Sequence, residues 1–210
     1  MEEIVYRKRW LDWAREIQSL AQTGNTYAEN HFQRQRYNRL MEIAAEIVCE
    51  YSKLNYEEVI QSFRLQKGYA TPKVDVRGAV FQDGKLLMVQ ERLDGGWTMP
   101  GGWVDVGEYP ASSVEREVLE ESGYKVKARK LIGLYDANRI EPLGFFHAYK
   151  LVFLCDIKSG MSQTSNETSA VGFYALDEMP VNFAGERTQT RHVMDAFTAL
   201  EDPSVPTVFD

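Results

Sequence analysis

The sequence of 210 residues has only two cysteines and three histidines, which limits the kinds of site it can build. Cys49 and Cys155 lie far apart, with no CxxC pair and no neighbouring histidine pair. A disulfide framework or a zinc site is therefore not indicated, and both thiols are expected to be buried as small apolar groups. His147 and His192 lack the spacing of metal ligands, so we assign them structural roles.

Long apolar runs are also missing. No stretch of about 18 apolar residues is available to cross a bilayer. The N-terminal MEEIVYRKRWLDW lacks an apolar segment followed by a small-residue cleavage site. We therefore expect a soluble, cytoplasmic protein without membrane contact. A hydrophobic content of 44% excludes a disordered chain and is sufficient for packed cores.

Acidic residues outnumber basic ones in most of the chain. The net charge is -7, and residues 1–70 contain ten basic and ten acidic residues, so the whole negative excess lies in residues 71–210. An acidic domain does not attract a phosphate polymer through its overall field, and nucleic acid is not the expected partner. A small anionic substrate would need metal ions to mask this charge.

The first third of the chain has a helical period. Apolar residues recur at steps of three and four from Glu3 to about Gln66, which predicts three helices. Gly24-Asn25-Thr26 is predicted to separate the first helix from the second, and Asn55 to cap the third. Such a piece is small for an independent core, so we expect its apolar stripes to pack on the rest of the chain or on another subunit.

Gly68 and Thr71-Pro72 mark a change of period, which predicts a helical domain at 1–67 and a second domain at 68–210. Asp83-Gly84 is a strong hairpin signal in the second domain. Several strand-like runs with two helices make this an α+β domain with a mixed sheet and helices against its faces. The predicted strands are Val74–Phe81, Leu86–Val89, Val126–Tyr135, Phe145–Cys155 and Val171–Leu176, and the predicted helices are 110–121 and 189–200.

The stretch REVLEESGY places three glutamates on one side of the first of these two helices, where like charges repel. Pro110 suits the first helical position and Gly123 the end. A solvated acidic face is one interpretation. The preceding PGGWVDVGE favours another, because glycine-rich turns let the backbone approach a ligand. Carboxylates beside such a turn suit Mg²⁺ bound together with substrate phosphates.

The spacing from Gly102 through Glu108 to REVLEESGY resembles the signature of the Nudix hydrolases. Seven fixed identities would match by chance at one position with a probability on the order of 10⁻⁸. Tyr124 departs from the aliphatic residue usual in the family, and we expect it to pack in the core. The resemblance implies a Nudix-type α/β/α sandwich with a mixed sheet, preceded by a small all-helical N-terminal domain.

The helical N-terminal domain is similar to that of the Nudix subgroup acting on nucleoside diphosphates linked to another moiety. This resemblance implies a small-molecule nucleotide substrate, with CDP-choline ranked slightly ahead of ADP-ribose, and a homodimer whose helical domain closes the site. A nucleic-acid-binding appendage is the alternative for that domain, but its formal neutrality favours dimerisation. Rival functions are hydrolysis of damaged nucleoside triphosphates or RNA ends, and a non-catalytic nucleotide sensor.

The same resemblance implies a pyrophosphatase that uses Mg²⁺, with Mn²⁺ as an alternative. Glu117 and Glu121 are the first candidates as metal ligands and Glu120 the third, with Arg116 orienting Glu120. The carbonyl of Gly101 or Gly102 completes the implied ligand set, and Glu108 is a further contact.

Other candidates are less specific. The resemblance implies a general base that is either a glutamate of REVLEESGY or an acid on a later loop. Glu167, in the loop SQTSNETSA, either assists water activation or metal binding or is an ordinary loop acid. Asp75 and Arg77 alternate along one strand face and bind either the nucleotide or each other. Arg92 and Trp97 flank the glycine-rich turn as candidate substrate contacts, and Trp97 either stacks on a base or packs in the core.

Overall fold

The computed structural model describes residues 9–137, 145–184 and 187–210, which form two compact units. One unit contains the helices up to residue 72 together with residues 145–147, and the other contains the remaining described residues. Within the described residues, no helix combines the length and apolarity needed to cross a bilayer.

The helical unit contains three helices, as predicted: α1 (Arg9–Thr26), α2 (His31–Tyr51) and α3 (Tyr56–Leu65). Asn55 caps α3 by accepting the N–H groups of Glu57 and Glu58, which confirms that prediction. The predicted break at Gly24-Asn25-Thr26 is wrong, since α1 continues to Thr26. A Cβ on Gly24 would lie 2.2 Å from the Tyr37 ring, so this glycine allows close packing of α1 on α2.

Buried apolar side chains from all three helices form the core of this unit, and Phe145 packs against it with its ring 4.5 Å from that of Phe63. The predicted strand beginning at Phe145 is therefore too long at its start. The observed strand begins at Ala148, because Phe145 belongs to the helical core.

The second unit is built on a mixed sheet. Its strands are β1 (Lys73–Gln82), β2 (Lys85–Glu91), β3 (Trp97–Thr98), β4 (Tyr124–Asp136), β5 (Ala148–Gly160), β6 (Thr168–Tyr174) and β7 (Val208–Phe209). The order is β3-β2-β1-β5-β4-β7, with β6 also paired to β2. β1 and β5 are parallel at the centre, and Asp83 and Gly84 have positive φ in the predicted β1–β2 turn. The two-residue strands β3 and β7 were not predicted.

Helices cover both faces of this sheet. One face carries α4 (Pro110–Ser122), which packs on strands β1, β4 and β5 and whose Val114 and Val118 are completely buried. The other face carries α5 (Thr190–Glu201), and a short 3₁₀ helix spans Leu176–Glu178. This arrangement confirms the predicted α/β/α sandwich preceded by helices. Tyr124 packs edge-on against Phe173 in the core below α4, as expected.

Candidate active site

The glycine-rich turn lies against the central strand β1. Pro100 accepts the N–H of Gly78 at 2.8 Å, and Gly102 accepts the N–H of Val76 at 2.8 Å. Gly101 lies between them with φ of +147°, and a Cβ there would come within 2.0 Å of the Val76 carbonyl oxygen. Only glycine fits this close approach. Hydrogen bonds between the backbone of the turn and the backbone of β1 therefore hold the turn in place.

Helix α4 begins and ends where its sequence predicts. Pro110 occupies its first turn, and Gly123 ends it in the left-handed conformation with φ of 81° while donating to the Leu119 carbonyl. The buried side chains of Val114 and Val118 hold one side of the helix against the sheet. The glutamates on its other side consequently lie next to the glycine-rich turn.

The three glutamates of α4 occupy different environments. Glu121 is only 6% exposed, its Oε2 accepts the N–H of Gly101 at 2.9 Å, and burial raises its pKa to about 8. Glu117 lies beneath Gly102, where a Cβ would come 3.1 Å from Glu117 Oε1, and burial raises the pKa of this carboxyl as well. The side chain of Glu120 is more than half exposed. A uniform solvated acidic face is therefore not what α4 forms.

Arg116 partly offsets the repulsion within this acidic group. Its Nε and Nη2 each lie 2.9 Å from a Glu108 oxygen, and its Nη1 lies 2.9 Å from Glu117 and 3.0 Å from Glu120. The predicted contact between Arg116 and Glu120 is thus confirmed. These hydrogen bonds lower the pKa of Glu108 to about 2 and raise that of Arg116.

The donor set beside the turn fits a hard divalent cation. All the donors are oxygens, and the missing side chain of Gly102 leaves room directly over the Glu117 carboxylate. Among the described residues, no three acidic, histidine or cysteine side chains form a metal site by themselves. Mg²⁺ commonly takes one or two carboxylates and completes its shell with substrate phosphates and water. The arrangement suits an ion bound jointly with a diphosphate.

The assignment of individual ligands stays a prediction for Glu117, Glu120, Glu121, Glu108 and Gly101. The Gly102 carbonyl, the alternative to that of Gly101, is occupied by the N–H of Val76.

The loop that contains Glu167 is attached to the C-terminal end of α4. Thr168 Oγ1 donates to the Glu121 carbonyl at 2.9 Å, and the N–H of Gln163 donates to the Ser122 carbonyl at 2.9 Å. The structure therefore brings this loop next to the acidic helix. Glu167 itself is exposed, and its role in water activation stays a prediction.

Asp75 and Arg77 bind each other below the turn. Two hydrogen bonds of 3.0 and 2.7 Å join them, and each residue is only 3% exposed. This is the geometry of the ion-pair alternative, and a direct contact of either side chain with substrate stays a prediction. Lys150 is the register partner of Asp75 across β1 and β5, with Nζ 3.7 Å from the Asp75 carboxylate. Burial lowers the pKa of Lys150 to about 8.

Sequence reasoning missed this buried lysine, although the sequence contains a signal for it. Lys150 alternates in phase with Ala148, Val152 and Leu154, all of which are buried. A lysine in the apolar phase of a strand requires a buried partner, and Asp75 provides one.

The remaining candidates surround the turn in different ways. Arg92 is exposed, and its backbone N–H donates to the Glu167 carbonyl at 2.8 Å. The backbone of Arg92 is thus joined to the loop that contains Glu167. Trp97 packs edge-on against Tyr174 with ring centroids 5.2 Å apart, as its packing alternative requires. Substrate contacts by Arg92 and Trp97 stay predictions. Trp103, next to Gly102, is 50% exposed.

Comparison with known proteins covers both units. Residues 8–63 match the family described as a UDP-X-like, N-terminal oligomerisation domain, and residues 71–197 match the NUDIX domain. A Bacillus subtilis (strain 168) protein provisionally named an ADP-ribose pyrophosphatase is 34% identical over 208 residues, which are 99% of this chain and 100% of that protein.

Two solved structures extend the comparison. An ADP-ribose pyrophosphatase from Streptococcus suis 89-1591 is 35% identical, covers 67% of this chain and 100% of its own, and gives a TM-score of 0.62. A UDP-X diphosphatase is 27% identical with a TM-score of 0.62, and the match covers 97% of this chain and 99% of that one. The second similarity includes the N-terminal helices.

Proposed function

Because the chain belongs to the Nudix hydrolase family, we propose that it hydrolyses the pyrophosphate bond of a nucleoside diphosphate linked to a second moiety. The products are a nucleoside monophosphate and a phosphorylated second moiety. The observation that carries this proposal is the buried Glu121 carboxylate, held 2.9 Å from Gly101 N–H beside the acids that Arg116 binds.

The residues around the turn divide the work of this reaction. Glu117, Glu121 and Glu120 would hold divalent ions together with the Gly101 carbonyl, and Mg²⁺ is the ion we propose, with Mn²⁺ as its substitute. Such ions neutralise phosphate oxygens and lower the pKa of bound water. Arg116 keeps the carboxylates of Glu117 and Glu120 in fixed orientations.

The proton acceptor for the attacking water is a separate assignment. We propose Glu167 for this role, because its loop is hydrogen-bonded to the end of α4. Glu167→Gln should then lower kcat and alter the dependence of the rate on Mg²⁺. Unchanged values of both would remove Glu167 from the site and return the role to a glutamate of α4.

The names of the relatives support linked nucleoside diphosphates as the substrate class. Two relatives carry the name ADP-ribose pyrophosphatase, and a structure similar over nearly the whole chain carries the name UDP-X diphosphatase. We therefore rank ADP-ribose and UDP-linked compounds ahead of CDP-choline, which reverses the ranking drawn from the sequence.

A substrate panel tests the proposal. The purified protein with Mg²⁺ or Mn²⁺ would be incubated with ADP-ribose, UDP-sugars, CDP-choline, nucleoside triphosphates and 5′-capped RNA, and the products identified by chromatography. Release of a nucleoside monophosphate from a linked diphosphate is expected. Faster turnover of triphosphates or RNA would overturn the proposed substrate class, and tight nucleotide binding without turnover would identify a sensor.

We propose that the helical unit joins two copies of the chain. The matched N-terminal family is described as an oligomerisation domain, and Trp13 and Leu20 on α1 are 56% and 60% exposed. These two apolar side chains lie seven residues apart and so fall on the same helix side. A homodimer would cover them.

A further inference from the structure

A closed ring of hydrogen bonds lies within the second unit, immediately before the glycine-rich turn. The N–H of Met99 donates to Thr188 Oγ1 at 2.9 Å, Thr188 Oγ1 lies 2.8 Å from Thr98 Oγ1, and Thr98 Oγ1 donates to the Met99 carbonyl at 3.0 Å. All three residues are completely buried. Water is thus excluded as a replacement partner for any group in the ring.

The number of hydrogens fixes the direction of this ring. Each threonine hydroxyl has one hydrogen to donate. Since Thr98 donates its hydrogen to the Met99 carbonyl, Thr188 donates to Thr98 while accepting from Met99. Arg77 Nη1 adds a donor 3.3 Å from the Met99 carbonyl. Removing the Thr188 hydroxyl therefore breaks two of the three bonds and leaves the Met99 N–H without a partner.

The ring fixes the backbone next to Gly101, the residue whose N–H binds Glu121. Two residues after Met99, the N–H of Gly101 donates to Glu121 Oε2 at 2.9 Å. Between them, Pro100 is fixed to β1 through its carbonyl. Gly101 has no room to move toward β1, because even a Cβ would meet the Val76 carbonyl at 2.0 Å. The direction of the Gly101 N–H is accordingly set by Met99 on one side and by β1 on the other.

We propose that Thr188 is a positioning residue for the hydrolytic reaction. Its hydroxyl fixes Met99 and, through the turn, orients the Gly101 N–H that holds the Glu121 carboxylate. The inference rests on the proposed function only in assigning Glu121 to the reaction. Thr188 lies just before α5, outside the Gly102–Gly123 signature, so the end of the chain contributes to the arrangement of the site.

Three variants test this role. Thr188→Val keeps the shape of the side chain and removes the hydroxyl, Thr188→Ser keeps the hydroxyl, and Thr98→Val breaks the ring at its other hydroxyl. Loss of an outer hydrogen bond around a metal or catalytic group typically lowers activity about 10- to 100-fold. We expect that decrease in kcat for Thr188→Val and a smaller decrease for Thr98→Val, in which the Met99 N–H keeps its acceptor. KM should change little, and Thr188→Ser should recover wild-type kcat.

A readout that does not require turnover is the amide resonance of Gly101. In Thr188→Val the ¹H shift of Gly101 should move toward that of Glu121→Gln, with little change in Thr188→Ser. A folded Thr188→Val with an unchanged Gly101 resonance, or a Thr188→Ser as impaired as valine, would overturn the proposal. If Thr188→Val does not fold, Thr98→Val and Thr188→Ser decide it by the same criteria.

A double-mutant comparison separates this role from general destabilisation. If Thr188 acts through Glu121, Thr188→Val should lower kcat no further in a Glu121→Gln background, whereas an independent effect would multiply. Failure of the proposed function can be distinguished from failure of the role proposed for Thr188. A wild-type protein that is inactive on every linked diphosphate would still allow the Gly101 resonances of the variants to be compared.

Discussion

Arg116 binds Glu108 through two parallel hydrogen bonds of 2.9 Å, although Glu108 precedes α4 and Arg116 lies in its second turn. The remaining nitrogen of the same guanidinium reaches Glu117 and Glu120. A planar group with several fixed donors can bind three carboxylates at once, and an ammonium group lacks this geometry. Arg116 therefore sets the relative orientation of acids before and within the helix.

Arg116→Lys should lower kcat about 10- to 100-fold, because lysine retains the charge but loses the two-point contact with Glu108. Steady-state kinetics at saturating Mg²⁺ would measure it. Arg129→Lys is the matched control, as Arg129 is half exposed on β4 and pairs with Asp156 at 3.4 Å. Equal activity of wild type and Arg116→Lys would show that charge alone is required.

Glu120→Gln and Glu121→Gln should each lower kcat by about 10² to 10⁴ while the fold is retained, since an amide neither binds a hard cation well nor accepts a proton. Circular dichroism would verify folding. Glu115→Gln on the same helix is the control, because Glu115 accepts the N–H of Ala128 at 2.9 Å and a glutamine oxygen can do the same. Near wild-type activity in both site variants would contradict the proposed site.

The helix α4 and its flanking turn could be predicted from the sequence because local rules determine them. Pro110, Gly123 and the three-and-four spacing of Val114 and Val118 are short-range signals. The different burial of the glutamates could not be predicted. It depends on Gly101, which lies twenty residues before Glu121 and reaches it only because the turn packs on β1.

Long-range polar contacts could not be predicted from the sequence patterns either. Thr188 and Lys150 come from distant segments, and nothing local to either residue names its partner. The break in the first helix was mispredicted for a related reason. Gly24-Asn25-Thr26 is a helix stop signal by its residue types, whereas in the structure α1 continues to Thr26 and Gly24 lies against the Tyr37 ring of the next helix.

Asp75→Asn should destabilise the protein by about 3–5 kcal/mol, because it leaves the buried charges of Arg77 and Lys150 without their carboxylate. Denaturant unfolding would measure the loss. Asp156→Asn serves as the comparison, since its exposed pair with Arg129 is worth about 0–1 kcal/mol. If Asp75→Asn lowers the free energy of unfolding no more than Asp156→Asn does, the Asp75 carboxylate does not stabilise the buried charges of Arg77 and Lys150.

His192 should make stability depend on pH below neutrality. Burial, with the nearby charges of Lys150 and Arg191, lowers its pKa to about 3 from 6.5. Its Nδ1 accepts the N–H of Gln189, which requires the neutral ring. Below pH 6.5 the unfolded chain binds a proton that the folded chain excludes, so the stability present above pH 6.5 is lost as pH falls toward 3.

Because of this histidine, the free energy of unfolding should fall by about 1.4 kcal/mol for each pH unit as the pH decreases from 6 to 4. The difference in unfolding free energy between wild type and His192→Gln should therefore shrink over that range and stay flat above pH 6.5. Denaturant titrations at several pH values would measure it. A difference that is constant at all pH values would show that His192 does not titrate on unfolding.

Leu20→Glu should convert the proposed dimer into a monomer, because a charge on the exposed side of α1 opposes burial of that surface. Light scattering coupled to size exclusion would give the mass. Val181→Glu is a matched control, as Val181 is fully exposed in the other unit. A Leu20→Glu protein that keeps the mass of the wild type would place the contact between subunits elsewhere.

The parallel pairing of β1 with β5 has a consequence for how the protein gains activity during synthesis. Asp75 and Lys150 face each other in this pairing, although 75 residues separate them in the chain. Contacts of such separation form late, after the cost of closing a long loop is met. β1 can pair early with β2, which follows it directly in the chain, but it gains its parallel neighbour only after the segment of β5 has left the ribosome. Hydrolysis by a nascent chain would report that the whole sheet, and not only the signature helix, has assembled.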